Sequence, residues 1–233
     1  MEAKAYIKYD QLEDNYKVNS PELEPYEISG ESYDLISAVE DFIDKVKYAQ
    51  DTFEKFGHDE SMPDEDDLYD LQLHFMINCK ATKEEQLYVK AVNLMIRQHQ
   101  GQKDKAGKDY YFHPARVSKE CLEIEAKIAA LLHDTVEDTD LSFEDLLQAK
   151  IPQSIVDGVD AVTRRDGESY ADFIERASYN KIGCEVKIHD LEDNMDITRL
   201  TNLTDKDLYR LNKYLHSWRY LNGLEEDTSL IAE

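Results

Sequence analysis

The sequence contains no apolar run approaching the roughly 18 residues that a membrane-spanning helix needs. Its first ten residues, MEAKAYIKYD, lack the charged start and apolar centre of a secretory signal. Cysteine is scarce: Cys79, Cys121 and Cys184 are an odd number of thiols without CxxC spacing. That pattern favours reduced thiols over a disulfide framework or a thiolate zinc site. We therefore expect a cytoplasmic protein that does not associate with membranes.

Basic residues are also few. The sequence has 27 Lys and Arg residues against 51 Asp and Glu residues, which gives a formal net charge of −24. Nucleic acids and anionic lipids are bound through Lys and Arg, so such a surface repels both. The simplest interpretation is a solvated surface that maintains solubility. An acidic nucleic-acid mimic, or a docking surface for a basic protein, is the alternative. A small phosphorylated substrate stays compatible, because a local basic pocket can bind an anion.

The first 80 residues carry a net charge of −14. They begin with a short β-like AYIKY followed by Pro21, Pro25 and Gly30, which predicts a partly extended lead-in. Helical spacing of apolar residues then predicts one long helix over 33–56, with Gly57 as its C-terminal cap and an acidic loop over 58–67. A second apolar segment follows. Its members are Leu68, Leu71, Phe75 and Met76.

After residue 82 the pattern predicts one helix after another, interrupted by a polar, glycine-rich loop over 101–114. The segment EVKIHDL (185–191) is compatible with a strand, but its apolar spacing continues at helical intervals as far as Leu200. The predicted fold class is therefore all-α.

The segment ALLHDTVEDT (130–139) delivers His133 and Asp134 from a strongly apolar helix to a protected position. An imidazole nitrogen and a carboxylate oxygen both suit a divalent metal of the Zn, Mn or Fe kind. Glu137 and Asp138 return to the same helical faces one turn later, where a carboxylate could take a proton from water. A His-Asp pair alone more often belongs to a hydrogen-bonded core. Four such groups in six residues make a metal site and a core role equally plausible.

Three segments in order then resemble the signatures of the HD hydrolase domain of the bacterial alarmone synthetase/hydrolase family and its small stand-alone relatives. The string RQHQGQKDKAGKDYYFHPARV (97–117) is similar to the first signature, H-x-G-Q-x-x-K/R-x-G-x-x-Y-x-x-H-P. ALLHDTVEDT matches the second, and VKIHDLEDNMDITRL (186–200) resembles the third, K-x-x-D-x-x-x-N-M. The resemblance covers about residues 83–222, and it leaves the N-terminal 80 residues outside.

This resemblance implies a role for each matched residue, carried over position by position. The metal ligands would be His99, His133, Asp134 and Asp190, usually of Mn²⁺. Glu137 and Asp138 would activate water, and Asn194 would line the nucleotide side. The substrate-binding residues would be Lys103, Lys105, Tyr170 and Arg199.

Two positions depart from the family pattern, and one histidine within it is given no ligand role. His189 stands directly before Asp190, where the family usually has a small residue, and we favour a partly exposed side chain over a donor behind the metal ligands. His113 belongs to the Tyr-x-x-His-Pro motif and is interpreted as structural, because four ligands are already assigned. Asp104 stands where a basic residue is common, which leaves the nucleotide base open.

These inferences predict an HD-domain helical bundle over 83–224, an acidic, mainly helical N-terminal extension over 1–82 and a tail over 225–233. The expected reaction is hydrolysis of the 3′-pyrophosphate of ppGpp or pppGpp to GDP or GTP and pyrophosphate, with Mn²⁺ as the cofactor. One alternative is a phosphohydrolase for an adenosine alarmone or NADPH. The other is an acidic binding or antitoxin protein with a structural metal. A homo-oligomer and an alarmone-synthetase toxin as counterpart are both compatible with the sequence.

Overall fold

A computed structural model describes residues 1–26, 28–56, 71–199, 202–229 and 231, with the side chains of 25, 53–56 and 199 left out. The chain forms two compact units. The first comprises Met1–Gln102 and Asp109–Ala115, and the second comprises Lys103–Lys108 and Arg116–Glu233. Gly57, the acidic loop over 58–67 and Leu68 lie outside the described residues. The domain boundaries at residues 82 and 224 stay predictions.

The first unit contains a four-stranded mixed sheet, so the all-α prediction is wrong. The strand order is β3-β2-β1-β4, with β1 antiparallel to β2 and parallel to β4, and β2 antiparallel to β3. Of the helices that the structure describes, α1 packs against β3 and α2 packs against β4. The elements are β1 (Glu2–Asp10), β2 (Asn15–Asn19), β3 (Ser29–Ser32), α1 (Leu35–Phe56), β4 (Gln72–Ile77) and α2 (Lys83–Gln98).

The sheet forms because its strands alternate buried and exposed residues with a period of two. In β1 the buried residues are Ala3, Ala5 and Ile7, and in β4 they are Leu73 and Phe75. The second apolar segment was expected to extend a mainly helical region. Its described part instead forms β4, because a parallel partner in β1 satisfies its backbone hydrogen bonds.

Helix α1 lies within the predicted range of 33–56 and buries one apolar face on the sheet. Phe42 contacts Phe75 of β4 edge to face, with ring centroids 5.7 Å apart. Gly30 of β3 allows the helix to come close, since a Cβ there would lie 2.3 Å from the carbonyl oxygen of Ala38. The sequence places this glycine in a partly extended lead-in, and in the structure it also marks a close contact between strand and helix.

Among the described residues of the second unit, the regular elements are helices, joined by turns and loops. No described helix in the chain is long and apolar enough to cross a membrane. Helix α3 begins in the first unit and continues into the second. The helices are α3 (Phe112–Glu120), α4 (Ile124–Leu132), α5 (Thr135–Asp138), α6 (Phe143–Gln148), α7 (Gln153–Val162), α8 (Tyr170–Ser178), α9 (Lys181–Met195) and α10 (Asp205–Leu221).

Helix α9 is central to the second unit, because it packs against α4, α7, α8 and α10. Two glycines allow its close approach to α7. A Cβ at Gly158 would lie 2.5 Å from Ile182, and a Cβ at Gly183 would lie 2.6 Å from Ala161. The segment EVKIHDL is part of helix α9. Its apolar spacing therefore predicted its structure better than its strand-like composition did. This packing fixes the position of Asp190 relative to the end of α4.

Candidate metal centre

His133 lies directly after helix α4, and only 3% of it is exposed. Its Nδ1 donates a hydrogen bond to the carbonyl oxygen of Ala130 at 2.7 Å, because a carbonyl can only accept. Its Nε2 therefore faces two carboxylates: Asp134 Oδ2 lies 3.1 Å away and Asp190 Oδ1 lies 3.8 Å away. Two acids converge on one buried imidazole nitrogen.

The electrostatics of this group call for a cation. Burial by itself lowers the pKa of His133, but the charges and hydrogen bonds of Asp134 and Asp190 outweigh it and raise the pKa well above its usual value. Without a metal, a proton on Nε2 compensates the two carboxylates. A divalent ion bound at the same position would replace that proton, since imidazole nitrogen and carboxylate oxygen suit Zn, Mn and Fe. The residues therefore fit a metal.

Asp190 is held on α9 with only 5% of its surface exposed. Lys187 donates to its Oδ2 at 2.7 Å and Asn194 donates to its Oδ1 at 2.6 Å. Burial lowers the pKa of Lys187, but the Asp190 charge more than reverses this and raises it above the usual value. Both carboxylate oxygens of Asp190 are thus oriented by neighbours one turn away on either side. Such partners orient a metal ligand.

His113 of α3 is buried, with 7% of its surface exposed. Its place in the Tyr-x-x-His-Pro motif is the basis for the structural role given to it from the sequence, and that role stays a prediction. His133, Asp134 and Asp190 supply nitrogen and oxygen donors, and such a donor set does not select one metal.

His99 follows the last turn of α2 and is 1% exposed. Its Nδ1 lies 2.8 Å from Gln102 Oε1, and its ring centroid lies 5.0 Å from that of Tyr110. Tyr110 in turn contacts His113 at 5.7 Å between ring centroids. A glutamine oxygen at Nδ1 fixes the tautomer that leaves Nε2 as the acceptor. His99 stays a predicted ligand.

Glu137 and Asp138 form part of the short helix α5, and both are exposed. The Glu137 carboxylate accepts a hydrogen bond from the backbone N–H of Arg164 at 3.1 Å. It lines a groove of about 740 Å³ in the second unit, together with Arg164 and Tyr170. The predicted water-activating pair is therefore open to solvent, and Glu137 borders a space large enough for part of a nucleotide.

Tyr170 lies at the start of α8 with 7% of its surface exposed. Lys213 of α10 places its Nζ 4.1 Å from the centre of the Tyr170 ring, and Arg164 lies 5.9 Å from it. Arg210 of the same helix donates to the hydroxyl of Tyr214 at 3.1 Å. Burial, followed by the charges of Arg164, Arg210 and Lys187, lowers the pKa of Lys213. These cations form a local positive group within a strongly acidic chain.

Sequence reasoning missed Arg164, Arg210 and Lys213. Basic residues are few in this chain, so their recurrence near Tyr170 and in α10 was a usable signal. The predicted Lys103 and Lys105 are exposed in their loop, and the side chain of Arg199 lies outside the described residues. Arg116 of α3 forms a bidentate ion pair with Asp193, at 2.6 and 3.1 Å.

The chain is similar in sequence to a group of curated enzymes, although no family model matches it. It is 37% identical over 95 residues to the guanosine-3′,5′-bis(diphosphate) 3′-pyrophosphohydrolase MESH1 of Danio rerio, covering 35% of this chain and 51% of that protein. It is 38% identical over 86 residues to the guanosine-3′,5′-bis(diphosphate) 3′-pyrophosphohydrolase of Vibrio cholerae, covering 35% of this chain and 12% of that protein. The chain thus spans about half the length of the first relative and much less of the second.

A solved structure has a similar fold. It is described as a metazoan orthologue of SpoT that hydrolyses ppGpp and plays a role in starvation responses. The TM-score is 0.51 at 23% sequence identity, and the match covers 65% of this chain and 93% of that structure. At this identity the match supports the fold. Together with the sequence matches, it makes this chain a distant homologue of the ppGpp 3′-pyrophosphohydrolases.

Proposed function

We propose that the protein is an HD-type, metal-dependent phosphohydrolase that removes the 3′-pyrophosphate of a guanosine alarmone. The observation that carries this proposal is the buried Nε2 of His133 facing the carboxylates of Asp134 and Asp190 at 3.1 and 3.8 Å. A histidine with two converging acids is a donor set for a divalent metal, and distant homology supplies the class of reaction.

His133, Asp134 and Asp190 would hold the metal, with His99 as the fourth ligand that the family resemblance implies. A bound divalent ion, Mn²⁺ by the family resemblance, supplies Lewis acidity toward phosphoryl oxygen atoms and makes water more acidic. Asn194 and Lys187 hold the two oxygens of Asp190, so that its carboxylate keeps one orientation.

The proposed reaction adds a water oxygen to the phosphorus attached to the ribose 3′ oxygen and breaks the bond between that phosphorus and the 3′ oxygen. Glu137 or Asp138 accepts the proton that the water loses. The 3′ oxygen leaves with the bond electrons and takes up a proton, so that the products are GDP or GTP and pyrophosphate. Both acids are exposed, which allows the accepted proton to pass to solvent.

The cations Arg164, Arg210 and Lys213 are proposed to bind the phosphates, together with the predicted Lys103, Lys105 and Arg199. Arg164 lies beside Glu137 in the groove, and Arg210 and Lys213 have no carboxylate partner among the described residues. Their charge is therefore available to a polyanion, which the acidic surface elsewhere repels. Tyr170 provides the rigid ring against which Lys213 is held.

The test is a hydrolysis screen with the purified full-length chain and Mn²⁺. The substrates are ppGpp, its adenosine analogue and NADPH, with products separated by chromatography. We expect ppGpp to be cleaved with the highest kcat/KM. Cleavage of another substrate alone would refute the guanosine assignment. No cleavage of any by a folded protein with bound metal would refute the phosphohydrolase proposal.

A further inference from the structure

A second group of ligand-type side chains lies elsewhere in the helical unit. Cys121, Glu185 and His189 offer ligand atoms that all lie within 4.8 Å of one another. We propose that this group binds its own divalent cation of the Zn²⁺ type, separate from the centre at His133 and Asp190. The site goes beyond the proposed hydrolase function and does not depend on it.

The helix geometry brings two of the three residues together. Glu185 and His189 are four residues apart on α9, so their side chains lie on the same face, one turn above the other. Cys121 follows the end of α3 and precedes α4. An ion bound here would therefore connect the junction between α3 and α4 to α9, one residue before Asp190.

Neighbouring groups already orient the two side chains on α9. Glu185 Oε1 accepts hydrogen bonds from the backbone N–H groups of Leu122 and Glu123, at 2.6 and 3.4 Å. His189 Nδ1 donates to Glu192 Oε2 at 2.7 Å, and Glu192 Oε1 accepts from the indole N–H of Trp218 at 2.8 Å. A carboxylate behind a histidine fixes its tautomer and makes the other nitrogen a better ligand.

A cysteine sulfur, a histidine nitrogen and a glutamate oxygen are each ligands that zinc accepts, and three protein ligands leave a fourth position open. Cys121 is 2% exposed, whereas the His189 side chain is 21% exposed, so an ion can enter from the His189 side. Burial, with a smaller contribution from the Glu185 charge, raises the pKa of the Cys121 thiol to about 12. Without an ion the thiol keeps its proton, and binding replaces that proton with a metal–sulfur bond.

The nearby charges favour a cation over an anion. Glu185 belongs to the group, and Glu192 accepts the hydrogen bond from His189 behind it. Glu120 is a further acid whose charge acts on Cys121. Lys127 is the positive group that opposes them, and its ammonium donates to the carbonyl oxygens of Ser118 and Lys119. Neutralising the acids by a divalent ion relieves their mutual repulsion at this junction.

The test uses Co²⁺ as a spectroscopic probe for the metal-free, reduced full-length chain. A thiolate bound to Co²⁺ produces a charge-transfer absorption, and the residues at the centre of His133 and Asp190 include no sulfur. We expect wild type to show this absorption and Cys121→Ser to lose it together with one equivalent of bound Co²⁺. The matched controls Cys79→Ser and Cys184→Ser should keep both.

His189→Ala provides a second variant at a more exposed position, and it should weaken Co²⁺ binding at this site by about 10-fold or more. Circular dichroism checks that each variant is folded. Absence of the absorption in folded wild type, or its persistence in Cys121→Ser, would overturn the proposal. Asp134→Ala should retain the absorption, so failure of alarmone hydrolysis and failure of this site are separate results.

Discussion

Helix α9 carries two groups of ligand-type side chains with different surroundings. Asp190 is 5% exposed, and the charged Lys187 and the amide of Asn194 orient its two oxygens. Glu185 and His189 lie on another face and are partly exposed beside a buried thiol. The first group has only nitrogen and oxygen donors, and Glu137, one turn after His133, lines the groove with Arg164. The second group includes sulfur, and none of its three members lines that groove. The comparison distinguishes a metal centre suited to phosphate chemistry from a second site suited only to holding an ion.

The largest expected effect is that of Asp134→Ala. Removing a carboxylate that lies 3.1 Å from His133 Nε2 should lower kcat for ppGpp by about 10³-fold or more, as for a member of a catalytic unit. Asp140→Ala, an exposed change in the same segment, is the matched control. Initial rates with Mn²⁺ measure the effect. An Asp134→Ala variant with wild-type activity would contradict the assignment of phosphate chemistry to the group of His133, Asp134 and Asp190.

Asn194→Ala should have the next largest effect. Loss of the 2.6 Å hydrogen bond frees one oxygen of Asp190, and changes of this kind reduce metal affinity or activity by about 10- to 100-fold. Titration of the metal-free protein with Mn²⁺ measures this, with the exposed Asn202→Ala as the control. The thiolate absorption of the Co²⁺ protein should not change. Equal losses at both groups would show that they are one coupled site.

Lys213→Met should raise the KM for ppGpp by about 10-fold while kcat falls less, because a cation that binds phosphate acts mainly in binding. The exposed Lys206→Met on the same helix is the control. Burial and the cations Arg164, Arg210 and Lys187 lower the pKa of Lys213, so its positive charge is lost at a lower pH than for an ordinary lysine.

The lowered pKa of Lys213 predicts how the KM for ppGpp depends on pH. Below its pKa Lys213 is charged and binds the anion, and as the pH rises through the lowered value the KM of wild type should increase. Lys213→Arg should move this increase to higher pH, because a guanidinium keeps its charge. A KM profile that is the same in wild type and Lys213→Arg would show that another group titrates.

The smallest expected effect concerns stability. If Zn²⁺ binds at Cys121, Glu185 and His189, it stabilises the folded state, and Cys121→Ser should lose that gain. A loss of about 1 kcal/mol corresponds to a Tm about 2–4 °C lower for a chain of this size. The difference should appear with Zn²⁺ and not with a chelator, and Cys184→Ser is the control. An equal loss in chelator would indicate packing instead.

The helices of the second unit could be predicted from the sequence, because helical periodicity is visible within each segment by itself. Apolar residues recur at helical spacing through α4, α7 and α9, and three motifs stand in order along the chain. The sheet could not be predicted in the same way. Strand β4 is six residues long, and it pairs with β1, which lies about 70 residues earlier. Such pairing depends on tertiary contacts, which periodicity within one segment does not report.

The candidate sites show the same limit. The resemblance named His133 and Asp190 as ligands, but their approach to 3.8 Å comes from the packing of α9 on α4, which no motif reports. Lys213 and Tyr170 are 43 positions apart and only the fold brings them into contact. Cys121 was set aside because no CxxC pattern surrounds it. Its partners Glu185 and His189 come from another helix, so spacing along the chain could not reveal the group.

The most direct test of the central claim is pyrophosphate release from ppGpp, measured while Mn²⁺ is added to the metal-free full-length protein. The account predicts no release without metal and release that rises to a plateau as the site at His133, Asp134 and Asp190 fills, with GDP as the second product. Full release by the metal-free protein, or none from a folded protein saturated with Mn²⁺, would contradict it.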